Sequence, residues 1–147
     1  MAEPEFEFLF DMTVTMGIPV RIGQSPNGDI TFHHATAGRV EGPRLKGDVL
    51  PIGGDRVVGR ADGVMELNVQ VLIRTDDGHP IYMSYKGLVD GLSRESEAPS
   101  DLSSLYWRTA PMFETAAPPY LWLNRLVAVG IGQPGDGTVS YKVYALR

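Results

Sequence analysis

The side chains best suited to chemistry in this 147-residue chain lie in two stretches near its C-terminal third. The first runs from Tyr106 to Thr115 and sets Arg108 and Glu114 among Tyr106, Trp107 and Phe113; the second is Tyr120-Leu121-Trp122-Leu123-Asn124. Read as a strand, the second segment puts Tyr120, Trp122 and Asn124 on one face, an amphipathic set suited to contacting a ring while hydrogen-bonding its substituents. An aromatic core with backbone-satisfied polar groups is an equally good reading. Arg and Asn beside so many aromatics would be costly to bury without a partner, which keeps a binding site in play. On the site reading Arg108 stabilises an enolate or carboxylate, Asn124 orients a carbonyl, and Tyr106, Tyr120 and Trp122 form the wall. Asp55 or a histidine then moves the proton, and Glu66, Asn68 and Tyr82 complete the expected binding residues.

His33-His34 is the histidine cluster, and adjacent residues on a strand point to opposite faces. The two cannot chelate one metal without a bulge, so no metal site is expected. One of them can still face the interior as an acid, a base or a hydrogen-bonding group, and His34 is taken as that one. His79 sits in the turn Asp77-Gly78-His79-Pro80. The neighbouring carboxylates Asp76 and Asp77 invite comparison with a split acid/base pair, but Asp before Gly in a hairpin is favoured for its own backbone hydrogen bonding, and the two should diverge into solvent. Asp55 and Asp62 each adjoin glycine and an arginine, Arg56 or Arg60, which fits a structural ion pair or turn as well as a site. Gly53-Gly54-Asp55 has no following helix to supply phosphate-binding donors, and reads as a tight turn.

The chain has no cysteine, so neither a disulfide framework nor a thiolate nucleophile is possible. No P-loop, HExxH or GxSxG pattern occurs. A net charge of −5, with no Lys/Arg cluster to override it, opposes nucleic acid as a partner. The acidic start, Glu3, Glu5 and Glu7, and the lack of a membrane-length apolar run point to a cytoplasmic protein that does not engage a membrane.

These residues must be positioned by strands. Seventeen glycines and eleven prolines fall between short apolar runs. Phe6, Phe8, Phe10, Met12, Val14 and Met16 alternate with mostly polar neighbours, as in a half-buried strand. Pro26-Asn27-Gly28 turns the chain into Ile30 to Ala37. Arg39 to Ile52, broken by Gly42-Pro43 and Gly47, reads as two short strands. Met65, Leu67, Val69, Val71 and Ile73 mark one face of the strand from Val64 to Thr75, and Asp77-Gly78 leads into Ile81 to Leu88. Val89 to Ser104 is expected to be the longest loop, a lid or a site wall. Leu105 to Thr115, Tyr120 to Ile131 and Thr138 to Leu146 follow as strands. Eight or nine consecutive strands in one domain over residues 1–147 are best closed into a single antiparallel β-barrel, which removes exposed edges and leaves room for a small interior pocket.

Several segments together resemble the family known as domain of unknown function 3237. They are Gly42-Pro43-Arg44-Leu45-Lys46-Gly47, Gly53-Gly54-Asp55, Asp62-Gly63, Thr75-Asp76-Asp77-Gly78, the block Trp107 to Thr115, and Tyr120 to Asn124. The resemblance runs through most of the chain and implies a small β-barrel. It departs at Trp107, where the family usually has Phe, at Asp55, which follows Gly54 with no intervening small residue, and at Asn68, often Asp in the family. If that Asp is a family acid or base, Asn68 cannot replace it.

Three functions fit. The first is a cofactor-independent lyase, isomerase or cyclase acting on a small cyclic or aromatic metabolite. The second is a lipocalin-like carrier without turnover, and the third a filled structural barrel, with homo-oligomers possible in each case.

Overall fold

The computed structural model describes residues 2–92 and 104–147. Nine strands, β1 (Phe6–Met16), β2 (Val20–Ser25), β3 (Gly28–Glu41), β4 (Lys46–Gly59), β5 (Met65–Thr75), β6 (Pro80–Asp90), β7 (Tyr106–Glu114), β8 (Val127–Pro134) and β9 (Thr138–Leu146), form one antiparallel sheet. Its order is β1-β9-β8-β7-β6-β5-β4-β3-β2, and β1 also pairs with β3, so eight strands close into a barrel while β2 remains outside the ring. β1 and β2 pair in turn with the two halves of β3, so the β2–β3 hairpin extends one wall beyond the ring. Of the expected loop, residues 93–103 lie outside the described residues; Val89 and Asp90 end β6.

Strand alternation fills the lumen, as the period of two requires. Leu67, Val69, Val71 and Ile73 of β5 are buried, as are Ile81, Met83 and Tyr85 of β6 and Trp107, Thr109 and Phe113 of β7. β1 departs from simple alternation. A bulge between Phe8 and Phe10 buries Leu9 as well as Phe10 and leaves Phe6 and Phe8 on the outside.

Two other expectations are corrected. Tyr120 to Asn124 is not a strand: Pro118–Arg125 forms a 3-10 helix. Pro118 and Pro119 suit a helical first turn but lack the N–H groups a ladder needs. Gly53-Gly54-Asp55 is not a tight turn either but lies inside β4, where the register against β5 shifts between Val49 and Gly53. Gly53 has φ +89°, and a Cβ on Gly54 would stand 2.3 Å from the His33 carbonyl oxygen, so the bulge and the close approach of β3 both require glycine.

The ends of the barrel differ. Where β1 begins, the 3-10 helix and the β3–β4 connection cover a packed core of Phe10, Leu45, Phe113 and Leu123. Phe10 and Phe113 meet edge to face, 5.9 Å between centroids. Where β1 ends, the lumen opens into a cavity.

Candidate functional site

The cavity measures about 600 Å³, within the range of small-molecule sites. Its apolar side comes from Val14 and Met16 of β1 and from Met65, Leu67, Val69 and Val71 of β5. Its polar side is a seam on β3 and β4. Antiparallel pairing sets Asp29 opposite Gly59, Thr31 opposite Val57, and His33 opposite Asp55, and all six line the cavity. Directly opposed residues share a face, with Cβ atoms about 4.5–5.5 Å apart, so the ladder roots His33 and Asp55 side by side on one wall of the lumen. At the rim the Arg21 guanidinium lies 3.4 Å from the Asp29 carboxylate.

Asp55 is 8% exposed, and its Oδ1 accepts the backbone N–H of Asn68 at 3.1 Å. Burial disfavours the carboxylate and pushes the pKa up to about 7, against the smaller opposing effect of the Asn68 N–H. A carboxyl poised there carries a proton at neutral pH and can also accept one. Val69 is its partner on β5 and Tyr85 is Val69's partner on β6, so His33, Asp55, Val69 and Tyr85 form one row across four strands.

Tyr85 closes the aromatic side of the site with Tyr141 and Trp107. The tyrosine rings are 5.3 Å apart and nearly perpendicular. Burial raises the pKa of both phenols, with Asp55 adding to the effect, so they are neutral hydrogen-bonding groups near pH 7. The Trp107 indole stands edge-on to Tyr141 at 6.0 Å, and its buried Nε1 has no hydrogen-bond partner among the described residues. A Cβ on Gly132 would come 2.6 Å from this indole, so glycine at that position makes room for the tryptophan.

Of the residues singled out from sequence, Asp55 lies at the cavity. The others lie elsewhere. His34 is exposed on the outer face of β3, and its ring packs over Gly17, while His33 faces the lumen. Arg108 faces outward, donates to the Trp107 carbonyl at 3.0 Å and lies over the exposed Tyr106 ring at 5.0 Å, so it does not line the pocket as expected. Glu66, Tyr106 and Arg108 do come together, but around a shallow groove on the outer surface beside Lys86 and Leu88. Tyr82 is half-buried on the outward face of β6. The Asn68 side chain is exposed, and what this residue gives the site is its backbone N–H, so a change between Asn and Asp at 68 does not put a side chain into the lumen.

Tyr120, Trp122 and Asn124 are assembled, at the covered end. Asn124 accepts the Thr115 N–H and donates to the Thr115 carbonyl, both at 2.8 Å, pinning the helix to the end of β7. The Tyr120 hydroxyl donates to Asp77 at 2.6 Å, and Arg44 lies 3.8 Å over the Trp122 ring. Asp76 instead accepts from Arg39, so the neighbouring aspartates diverge to separate partners. Asp62 pairs with Arg60, the structural ion pair considered for it.

Sequence reasoning missed His33, Tyr85, Trp107 and Tyr141. A usable signal existed: continuing the inward alternation of Ile81 and Met83 reaches Tyr85, and continuing that of Phe113 and Thr109 reaches Trp107. Attention to charge beside aromatic residues favoured the opposite parity. No group of three His, Asp or Glu side chains suited to a metal ion occurs among the described residues, and no helix among them is long and apolar enough to cross a membrane.

Comparison with known proteins extends over the whole barrel. A UPF0311 protein of Clostridium acetobutylicum is 35% identical over 150 residues, spanning 98% of this chain and 95% of its own. The crystal structure of a conserved protein of unknown function from Rhodopseudomonas palustris matches with a TM-score of 0.93 at 28% identity, covering 100% of both chains. The hydroalkoxylation enzyme phnH of Penicillium herquei is 29% identical over 128 residues, 86% of this chain and 73% of that protein. With residues 4–146 matching the family described as "Protein of unknown function (DUF3237)", the chain belongs to that family.

Proposed function

We propose that this protein is an acid–base enzyme of lyase, isomerase or cyclase type, which binds a small cyclic or aromatic metabolite in the open half of the barrel and transfers protons through Asp55. The observation that carries this reading is a buried carboxyl with a pKa near 7 on the wall of an otherwise largely apolar cavity. A filled barrel would have no use for such a group, since an apolar residue there would be cheaper to bury. Tyr85 and Tyr141 supply neutral hydrogen bonds to a substrate oxygen, and the β5 wall excludes water.

The likeness to a hydroalkoxylation enzyme supports a finer version, in which an alcohol or phenol O–H adds across a carbon–carbon double bond of the same molecule, or is eliminated in reverse. Such a reaction moves protons and makes or breaks one C–O bond, with no net change of oxidation state. The apolar cavity also suits a carrier, which would bind the same ligands unchanged.

The experiment is a screen of ortho-alkenyl phenols and hydroxy-enones in D2O, following carbon-bound deuterium by NMR. The expected result is deuterium incorporation or ring closure with the parent protein, reduced about 100-fold or more in Asp55→Asn. Binding by both proteins without exchange in either would favour the carrier and end the enzyme reading.

A further inference from the structure

We infer that His33 is the catalytic base that works with Asp55, so that one edge of the substrate must offer a hydroxyl to His33 and an unsaturated carbon to Asp55. The inference rests on the enzyme reading above and adds a second proton-handling residue and a constraint on the substrate. Its ground is the ladder: His33 and Asp55 are directly opposed across β3 and β4, and both line the cavity. Gly54 permits that approach, since any side chain there would strike the His33 carbonyl.

The step balances without a further reagent. Asp55 gives its proton to one alkene carbon, whose π electrons form the new C–H bond and leave the adjacent carbon electron-poor. The substrate oxygen attacks that carbon, forming the C–O bond, and releases its proton to the neutral His33 imidazole. The imidazolium then returns a proton to the Asp55 carboxylate, directly or through water, and the pair is reset. The active form is a carboxylic acid beside a neutral imidazole, so the pair titrates as a unit and its rate profile should be bell-shaped. Among the described residues, the other titratable or charged groups facing this pair are Asp29 on β3, Arg21 on β2, Tyr85 on β6 and Tyr141 on β9.

The test follows the His33 ring nitrogens and the Asp55 carboxyl carbon by NMR in the full chain between pH 4 and 9. Both resonances are expected to move together, and Asp55→Asn should lower the His33 midpoint by half a pH unit or more, because it removes an adjacent negative charge. An unmoved His33 midpoint in Asp55→Asn overturns the pairing. In the D2O screen, His33→Gln should cut turnover at least tenfold and remove one limb of the pH profile, whereas an unchanged profile also overturns the role. Coupled titration without turnover of any compound in the panel would support the proton pair and sink the O–H addition reading. Turnover with uncoupled titration would leave Asp55 in place and remove His33.

Discussion

At the covered end of the barrel Phe10, Phe113 and Leu123 fill the lumen and a 3-10 helix is pinned across it; at the open end the same strands carry Asp55, Tyr85, Trp107 and Tyr141 around a cavity. The covered end holds some of the recognisable sequence blocks, among them Gly42 to Gly47, Thr75 to Gly78 and Tyr120 to Asn124, while Gly53-Gly54-Asp55 and Asp62-Gly63 lie at the open end; the polar residues of the covered blocks are satisfied locally. Asn124 is used up on Thr115, Tyr120 on Asp77, and Arg44 on Trp122. At the open end the Asp55 carboxyl is buried at a cost and accepts the Asn68 backbone N–H. A dense cluster of aromatic and polar residues therefore marks the stability device of this fold, and the sparser end carries the chemistry proposed for it.

Mutation should separate the two halves. The largest effect is expected from Phe113→Ala, which leaves a hole beside Phe10 in the packed half. It should cost about 3–5 kcal/mol in denaturant unfolding, and a cost under about 1 kcal/mol would mean that the covered end is not the stabilising one.

Asp55→Asn should act with the opposite sign and depend on pH. Well below pH 4 the carboxyl is protonated in folded and unfolded chains alike, so its ionisation takes nothing from stability there. Between there and pH 7 the unfolded chain gives up the proton while the folded chain keeps it, so parent stability falls as pH rises and levels off above about 7. The shift corresponds to roughly 4 kcal/mol. Asparagine keeps an acceptor for the Asn68 N–H and lacks the titration, so the variant should match the parent near pH 4 and be the more stable protein at pH 8. Parallel stability curves for the two would remove the argument that Asp55 is held strained for use.

The smallest effect is expected at Arg108. It lies outside the barrel, so Arg108→Met should alter unfolding by no more than about 0.5 kcal/mol and leave ligand shifts unchanged. A loss of binding would place the ligand in the outer groove with Glu66 and Tyr106 rather than in the lumen.

Much of the barrel was readable from alternation and turn chemistry, because a period of two and glycine at hairpins are local properties. β5 illustrates this: Met65, Leu67, Val69, Val71 and Ile73 show the inward face directly. Reading failed where local pattern and global placement part company. Pro118-Pro119 stopped a strand that the apolar pattern of Tyr120 to Leu123 suggested, and the Leu9 bulge moved Phe6 and Phe8 outside. At His33-His34 and Trp107-Arg108 the residue types were noticed, but the member of each pair taken for the site, His34 and Arg108, is the one that faces outward.

What this sequence determined by itself was an all-β chain of short strands, with the bounds of β1, β5, β6, β7 and β9 close to those observed, the absence of thiol chemistry, and a set of polar residues from which any site had to be drawn; β2 and the continuous run of β4 through Gly53-Gly54-Asp55 were not read from it. Only the closed barrel decided which of them meet. Strand parity is a choice between two faces that a single strand leaves undetermined unless one face is wholly apolar, and β3 and β7 carry mixed faces. Closing β1 onto β3 and setting β3 beside β4 resolved that choice, turned His33 and Asp55 toward the same space, and sent His34 and Arg108 to the outside. The near-neutral pKa of Asp55 likewise belongs to the tertiary structure, since it comes from burial within a lumen that exists only once the ring is closed.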